Sequence, residues 1–258
     1  MNPFSISEYG MLWSQNNIHV VFGNQNLNVD NLKEHYPDVE FRNIKQIHGN
    51  QIELSSEKTP EADGHFTTES DVGLIIKTAD CLPIFIIDPV RNILMAVHAG
   101  WRGVVSQITL LAIRKLEKMG GLPETFLVFI GPHIRKQHFE VDEPVWVQLI
   151  DSIPVSFRHN FELFYSVQST KSLNPFQSIS GNNAEKNKNR EKSSTLISNN
   201  KYLVDLGEIV KSQIREGGCL LENILDVNRD TFSEKNWNSY RRDKEKSGRN
   251  ISFVTRIG

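Results

Sequence analysis

The sequence predicts an α+β chain built on mixed β-sheets. Three observations carry that reading: strand-like apolar runs and amphipathic helical stretches interleave along the chain, they keep no regular strand–helix–strand cadence, and no segment repeats. At 258 residues the chain fits one large domain or two small ones and can bury a substantial core.

The elements follow in order. Residues 19–22 and 72–76 are rich in β-branched side chains and read as strands. Residues 83–87 and 93–97 are apolar runs joined by Asp88-Pro89-Val90-Arg91-Asn92, a turn composition, which makes them a hairpin. Closing that hairpin between Pro89 and Val90 pairs Asp88 with Arg91 and sets Cys81 opposite His98, about 5 Å away. Residues 102–119 carry a helical stripe of Val104, Val105, Ile108, Leu111, Ala112 and Leu116, ended by Gly120-Gly121. A strand is expected over 126–130, helices over 143–151 and 204–216, and a last strand over 251–255. From about 166 to 201 the composition turns to Ser, Asn and Lys. Such a stretch buries too little apolar surface to offset its ordering entropy, and it reads as a polar low-complexity insertion.

Hydrophobic content of 38% and charged content of 23% are ordinary for a globular protein. A net charge of −2 gives no support for nucleic acid or an anionic membrane as partner. No signal peptide is readable at the start and no run is long enough to span a bilayer. With two cysteines there is no disulfide framework, so a reducing cytoplasm is the expected location, and Cys219 is expected to be a buried filler.

The chemistry concentrates in three segments: Lys45-Gln46-Ile47-His48-Gly49, Thr78-Ala79-Asp80-Cys81-Leu82-Pro83 and Ala96-Val97-His98-Ala99-Gly100-Trp101-Arg102-Gly103. His48, Cys81 and His98 are together the ligand set of a catalytic zinc with an open fourth position. They lie too far apart in sequence for a local chelate, so only the fold can unite them. Singly, each reads as readily as a core or surface residue. Asp80 suits a group that orients a ligand, or a turn former. Gln46 shares a strand face with His48 and suits a substrate edge or a backbone group. His65 and His133 are candidates for a pocket wall. The planar forks of Arg102, Arg241, Arg242 and Arg249 suit an anion. Arg102 also sits at a predicted helix start, where free N–H groups favour negative charge, although each arginine reads equally as a solvated surface charge. Trp101 is expected to pack in the core. No GxGxxG or P-loop pattern occurs.

With ADG at 62–64, TADCLP at 78–83, HAGWRG at 98–103, IGPHI at 130–134, SYRRD at 239–243 and then SGR, the chain resembles the laccase-domain (YfiH-like) family from about His19 onward. It departs from that family's usual pattern at His133 and at Asp230-Thr231, where a cysteine and a Cys-Thr pair are common. The resemblance implies a single domain over 1–258, with mixed sheets in a sandwich flanked by helices. It also implies zinc on His48, Cys81 and His98, with copper as a substitute. The implied reaction is phosphorolysis of adenosine, inosine and methylthioadenosine to free base and (methylthio)ribose 1-phosphate, with adenosine deamination alongside. The partners would be a small-molecule nucleoside and phosphate. In that setting Arg102, Asp80 and Arg242 are the expected catalytic residues, and Gln46, His65 and His133 the substrate-binding ones.

Two other readings use the same residues. The family's older name suggests a copper-dependent polyphenol oxidase, a laccase, but eight histidines with no His-x-His pair make a multicopper cluster hard to build. A metal-free hydrolase would use Cys81 as nucleophile and His98 as base.

Overall fold

The computed structural model describes residues 3–168 and 200–258. The strands in chain order are β1 (Ser5–Ser7), β2 (Gly10–Gln15), β3 (Ile18–Gly23), β4 (Glu40–Arg42), β5 (Ile52–Leu54), β6 (Gly64–Thr67), β7 (Val72–Thr78) and β8 (Leu82–Asp88). They continue with β9 (Ile93–Ala99), β10 (Leu127–Ile130), β11 (Glu140–Asp142), β12 (Tyr165–Val167), β13 (Lys201–Val204), β14 (Ile224–Asp226) and β15 (Asn250–Arg256). The α-helices are α1 (Val29–His35), α2 (Trp101–Val105), α3 (Ile108–Lys118), α4 (Glu143–Asp151), α5 (Leu206–Glu216) and α6 (Tyr240–Asp243).

Two six-stranded mixed sheets form the centre, ordered β1-β2-β3-β15-β7-β4 and β14-β10-β8-β9-β6-β5, with a small third sheet β11-β13-β12. The alternation of side chains along each strand explains the layering. In β8, Phe85 and Ile87 join a core cluster shared with Val20, Phe22, Leu74, Ile76 and Val254 of the first sheet, so the two sheets face each other there. Phe22 and Phe85 stack across that layer with ring centroids 5.5 Å apart. The opposite face of β8, with Ile84 and Ile86, packs with Ile108, Ala112 and Leu116 of α3 and Ile209, Val210 and Ile214 of α5. The outer face of the first sheet, with Ile75, Ile251 and Phe253, is covered by Leu32 of α1. Strands β8 and β9 read as unbroken apolar runs because both of their faces are covered, and every residue of both is buried.

Several expectations shift at their edges for local reasons. The helix expected over 102–119 is two helices. Gln107 takes a left-handed conformation (φ 57°, ψ 37°) and ends α2 after a single turn. The break changes the phase of the buried stripe, so that Ile113 is buried while Leu111 is 42% exposed. Val204 belongs to β13, and the helix expected over 204–216 starts two residues later, at Leu206, after Asp205 caps it by accepting from the Glu208 amide. Cys219 is a buried filler as expected, and burial pushes its thiol up to about 12. The polar insertion is shorter at both ends than 166–201, because Tyr165–Val167 pairs antiparallel with the strand that begins at Lys201, and the Gln168 amide donates to the Lys201 carbonyl at 2.9 Å. Its remainder, 169–199, lies outside the described residues.

Among the described residues no helix is long and apolar enough to cross a membrane.

Candidate metal centre

The β8–β9 hairpin positions two of the three candidate ligands. Its register is not the one the sequence suggested: Asp88 pairs with Ile93, Pro83 with His98 and Leu82 with Ala99. The connection is the longer Pro89–Asn92 turn, because one Asp88 carboxylate oxygen accepts from the Val90 and Arg91 amides, both at 3.0 Å, and Asn92 closes the turn with φ 56°. Cys81 therefore stands one step beyond the last pair, across from Gly100 rather than His98. Both Cys81 and His98 share the parity of the residues turned toward the first sheet, so they sit at one end of the layer between the sheets.

The third ligand arrives from a loop. His48 has φ 59°, and the turn around it is held by one buried carboxylate. Asp63 accepts from the amides of Ile47 at 3.2 Å, His48 at 3.0 Å and Gly49 at 2.6 Å, and from His98 Nδ1 at 2.8 Å. A carboxylate only accepts, so His98 carries its proton on Nδ1 and presents Nε2. Burial pushes the Asp63 carboxyl up, but the His98 and backbone donors outweigh it and hold it below the ordinary carboxylate range.

The fold brings the donor atoms of His48, Cys81 and His98 within 4.8 Å of one another, and this is the one group of that kind among the described residues. His98 is buried, Cys81 half-buried and His48 exposed. Burial alone would push the Cys81 thiol up, but the His98 charge and hydrogen bonds from both histidines hold it at about 6. Burial lowers the His98 imidazole, but the Cys81 thiolate and Asp63 outweigh it and raise His98 to about 9. The residues fit a single metal ion on two counts. Two imidazoles and a thiolate are the donors that zinc or copper prefers. A Cβ on Gly100 would lie 3.0 Å from the His48 ring, 3.2 Å from Cys81 Sγ and 3.7 Å from the His98 ring, so the backbone leaves a gap where the three converge.

The triad forms one wall of a cavity of about 660 Å³. Lys77, Arg102, Arg241, Lys244 and Arg249 line it, with Asp80 as its carboxylate, and Ile44, Trp101, Ile134 and Phe139 supply apolar walls. Asp80 holds φ 86° and spends both oxygens on structure, accepting from the Thr231 hydroxyl at 2.7 Å and the Arg241 amide at 2.6 Å. The lining is thus strongly cationic. Helix α2 is only five residues long, so Arg102 contributes through its guanidinium, which lies 4.4 Å over the Trp101 ring, more than through a helix terminus. Trp101 is part of this wall as well as packing against the core.

The other candidates divide. Gln46 lines the cavity, but its amide is paired with both backbone groups of Lys77, at 2.8 and 2.9 Å. Arg242 points away from the cavity, donating to the carbonyls of Thr231, Phe232 and Trp237 and to Asp243. Its neighbour Arg241 lines the cavity instead, because successive residues of a helix point about a quarter turn apart. His65 and His133 are not brought to the cavity. Both are fully buried, with His65 Nε2 3.2 Å from the Ile75 carbonyl and His133 Nδ1 2.8 Å from that of Gly131. Burial lowers each to about 4, so both are neutral core residues. Asp63 is the residue the sequence reasoning missed. It stands in the ADG string beside His65, and its only sequence signal was that string.

A second cavity of about 660 Å³ lies beneath α1, with Tyr9, Met11, Leu27 and Phe253 in its lining. It is more apolar and contains none of the metal ligands or arginines singled out above, so the chemistry belongs to the first.

Residues 10–173 and 164–257 match the family model described as multi-copper polyphenol oxidoreductase laccase. Among curated proteins, the chain is 26% identical over 193 residues to a purine nucleoside phosphorylase of Rickettsia conorii, covering 74% of this chain and 65% of that one. It is 29% identical over 194 residues to purine nucleoside phosphorylase YlmD of Bacillus subtilis, covering 74% and 58%. It is 28% identical over 222 residues to a purine nucleoside phosphorylase of Synechocystis, covering 79% and 75%. The matched part therefore spans less than two thirds of the first and second of these relatives. Among solved structures, Bacillus licheniformis YfiH superposes with a TM-score of 0.79 at 19% identity, and YlmD of Geobacillus stearothermophilus with 0.75 at 21%, each over the full length of both chains. These two likenesses show the fold.

Proposed function

This chain belongs to the multi-copper polyphenol oxidoreductase laccase (YfiH-like) family, and from that premise we propose that it is a zinc-dependent purine nucleoside phosphorylase. One observation carries the reading: a two-histidine, one-cysteine donor set opens into a cavity lined by five cationic side chains, whose one carboxylate is already committed to structural hydrogen bonds. Relatives named purine nucleoside phosphorylase supply the reaction class. Adenosine, inosine and methylthioadenosine are the proposed substrates, with phosphate as the second reactant and free base and (methylthio)ribose 1-phosphate as products.

The residues divide the work. Arg102, Arg241 and Arg249 neutralise phosphate and the charge that builds on the transferring sugar phosphate. Trp101, Ile134 and Phe139 offer apolar walls against which a planar base is desolvated. Asp80 acts by position: its two hydrogen bonds fix the turn that carries Cys81 and the first residue of the arginine pair. His48, Cys81 and His98 would hold the metal, which when bound supplies Lewis-acid polarisation of an oxygen in its open position. Copper stands higher in the affinity order and is expected to displace zinc when supplied in excess.

Chromatography of adenosine with and without phosphate tests the reading. Adenine and ribose 1-phosphate should appear only with phosphate, and Arg102→Ala should raise the phosphate requirement more than it changes nucleoside binding. Inosine forming equally in both buffers, with adenine absent, would leave deamination as the activity and remove the arginines from a phosphate role.

One observation favours a second reading. Cys81, His98 and Asp63 are linked as nucleophile, base and orienting carboxylate, the arrangement of a metal-free cysteine hydrolase. Alkylation separates the two: with zinc bound, Cys81 should resist iodoacetamide until a chelator is added.

A further inference from the structure

We propose that Asp63 is the positioning residue of the metal centre, fixing with one carboxylate both the tautomer of His98 and the loop that carries His48. The inference rests on the metal reading given above, and its grounds are geometric. Asp63 is fully buried and takes four N–H donors: His98 Nδ1 and the amides of Ile47, His48 and Gly49. Its backbone grips the same strand, because the His98 amide donates to the Asp63 carbonyl at 2.7 Å. Asp63 in turn is anchored by its own amide, which donates to the Gln51 carbonyl at 3.0 Å. One side chain thus ties a loop ligand to a strand ligand that lies far away in sequence. A ligating histidine whose other nitrogen donates to a carboxylate has its ring angle and free nitrogen fixed, and loss of such a partner typically weakens metal binding about 10–100-fold.

The chemistry forbids a neutral substitute of the same shape. In Asp63→Asn the amide meets N–H donors on both sides. If its nitrogen replaces the oxygen shared by His98 and the His48 amide, it donates to Nδ1, drives the proton to Nε2, the atom the metal needs, and opposes the His48 amide at 3.0 Å. If its nitrogen faces the loop, it opposes the Gly49 amide at a contact now 2.6 Å long, and the turn of His48 must move. Either orientation disturbs at least one histidine.

The test uses zinc itself, in competition with a chromophoric chelator, on the native protein, Asp63→Asn and His98→Ala. Asp63→Asn should bind zinc about 10–100-fold more weakly, and His98→Ala should lose most binding. Long-range ¹H–¹⁵N NMR supplies a signature that a merely structural role would not move: His98 should carry its proton on Nδ1 in the native protein and lose it in Asp63→Asn. An Asn variant that keeps native affinity within about twofold together with an Nδ1 proton would overturn the proposal. Should the native protein bind no zinc, the metal reading fails, and the Nδ1 proton of the metal-free protein, recorded at alkaline pH with the His98 ring neutral, decides Asp63 separately. Should the Asn variant not fold, a bare Nδ1 in the native protein still overturns the assignment.

Discussion

Replacing Gly100 with alanine should weaken the metal centre while leaving the fold intact. The backbone at Gly100 has φ −71° and ψ 167°, which any L-residue adopts, so the substitution brings no dihedral strain. It also removes freedom from the unfolded chain, a gain of about 0.4–1 kcal/mol. The cost falls elsewhere. The new methyl would lie 3.0 Å from the His48 ring and 3.2 Å from Cys81 Sγ, closer than an ordinary carbon contact, so one or both must retreat by a few tenths of an ångström. Metal–ligand distances tolerate only about 0.2 Å. A displacement of that size acts like the loss of an orienting group, about 10–100-fold in affinity, which is about 1.4–2.8 kcal/mol. The assay is zinc competition against a chelator, paired with a thermal melt of the metal-free protein. Expected are a weaker zinc complex and a melting temperature within a few degrees of native. Unchanged zinc affinity would refute the placement of the three ligands around Gly100.

Three further outcomes follow from the packing. Asp226 is nearly buried between Arg135, at 2.5 and 2.9 Å, and Lys211, at 2.9 Å, so Asp226→Asn leaves Arg135 without its anion and Lys211 with Glu208 alone, at 2.8 Å, and should cost about 3 kcal/mol, visible as a melting temperature roughly 10 °C lower. Burial pushes that carboxyl up, but Arg135 and Lys211 outweigh it and hold it far below the carboxylate range, so its contribution is present above about pH 4 and the gap between native and variant should narrow as acid is added below that. His65 and His133, held at about 4 by burial, bind protons in the unfolded chain first, so urea stability should be fullest above about pH 6.5 and fall toward pH 4 by up to about 1.4 kcal/mol per unit for each; His133→Cys should flatten that slope, and an unchanged slope would contradict the burial argument. Replacing 178–199 by a short Gly-Ser link should leave the melting temperature within about ten degrees, since β12 and β13 already pair on either side and closure entropy varies slowly with loop length; a larger fall would show that the segment packs against the rest.

The sheets and the triad were legible in the sequence, while the contacts that orient them were not. Apolar runs such as Ile84–Ile87 announce strands covered on both faces, and they place His98 and Cys81 on one hairpin whatever its register. The register itself was hidden, because it depends on Asp88 capping the turn and on Asn92 accepting a positive φ, neither of which a count of apolar residues reveals. The break between α2 and α3 was hidden for the same reason: Gln107 is an ordinary helix former that here adopts a left-handed conformation and donates to the Ser152 carbonyl from another element. Arg241 and Arg242 are adjacent in sequence, and only the helix phase decides which one lines the cavity. Asp63 stayed invisible because its importance lies in how many donors converge on it. The two positions that depart from the family's usual residues, His133 and Asp230, turn out to be partners in a single β-bridge outside the cavity lining, so the departures are one local change that leaves the ligands untouched.

The family's description speaks of several coppers, and the imidazole inventory of this chain argues for one metal. All eight histidines fall within the described residues. His65 and His133 are neutral and enclosed in the core, His138 is bound to Asp230 at 2.6 Å, His19 to the Tyr36 hydroxyl at 3.1 Å, His35 packs on the Tyr9 ring, and His159 is exposed outside the lining of the cavity. His48 and His98 are the pair that converge, and Cys81 completes the group. A trinuclear centre with a separate blue-copper site consumes far more imidazole than that. Protein loaded with Cu²⁺ and examined by electron paramagnetic resonance should therefore give a single mononuclear signal of about one copper per chain, lost in Cys81→Ser or His98→Ala. A spin-coupled, multinuclear signature at higher stoichiometry would refute the one-metal reading and return the oxidase to contention. On the proposed reading, a mononuclear site that took either metal would make oxidase chemistry a matter of which ion occupied it, while the cationic cavity beside it suits an anionic reactant.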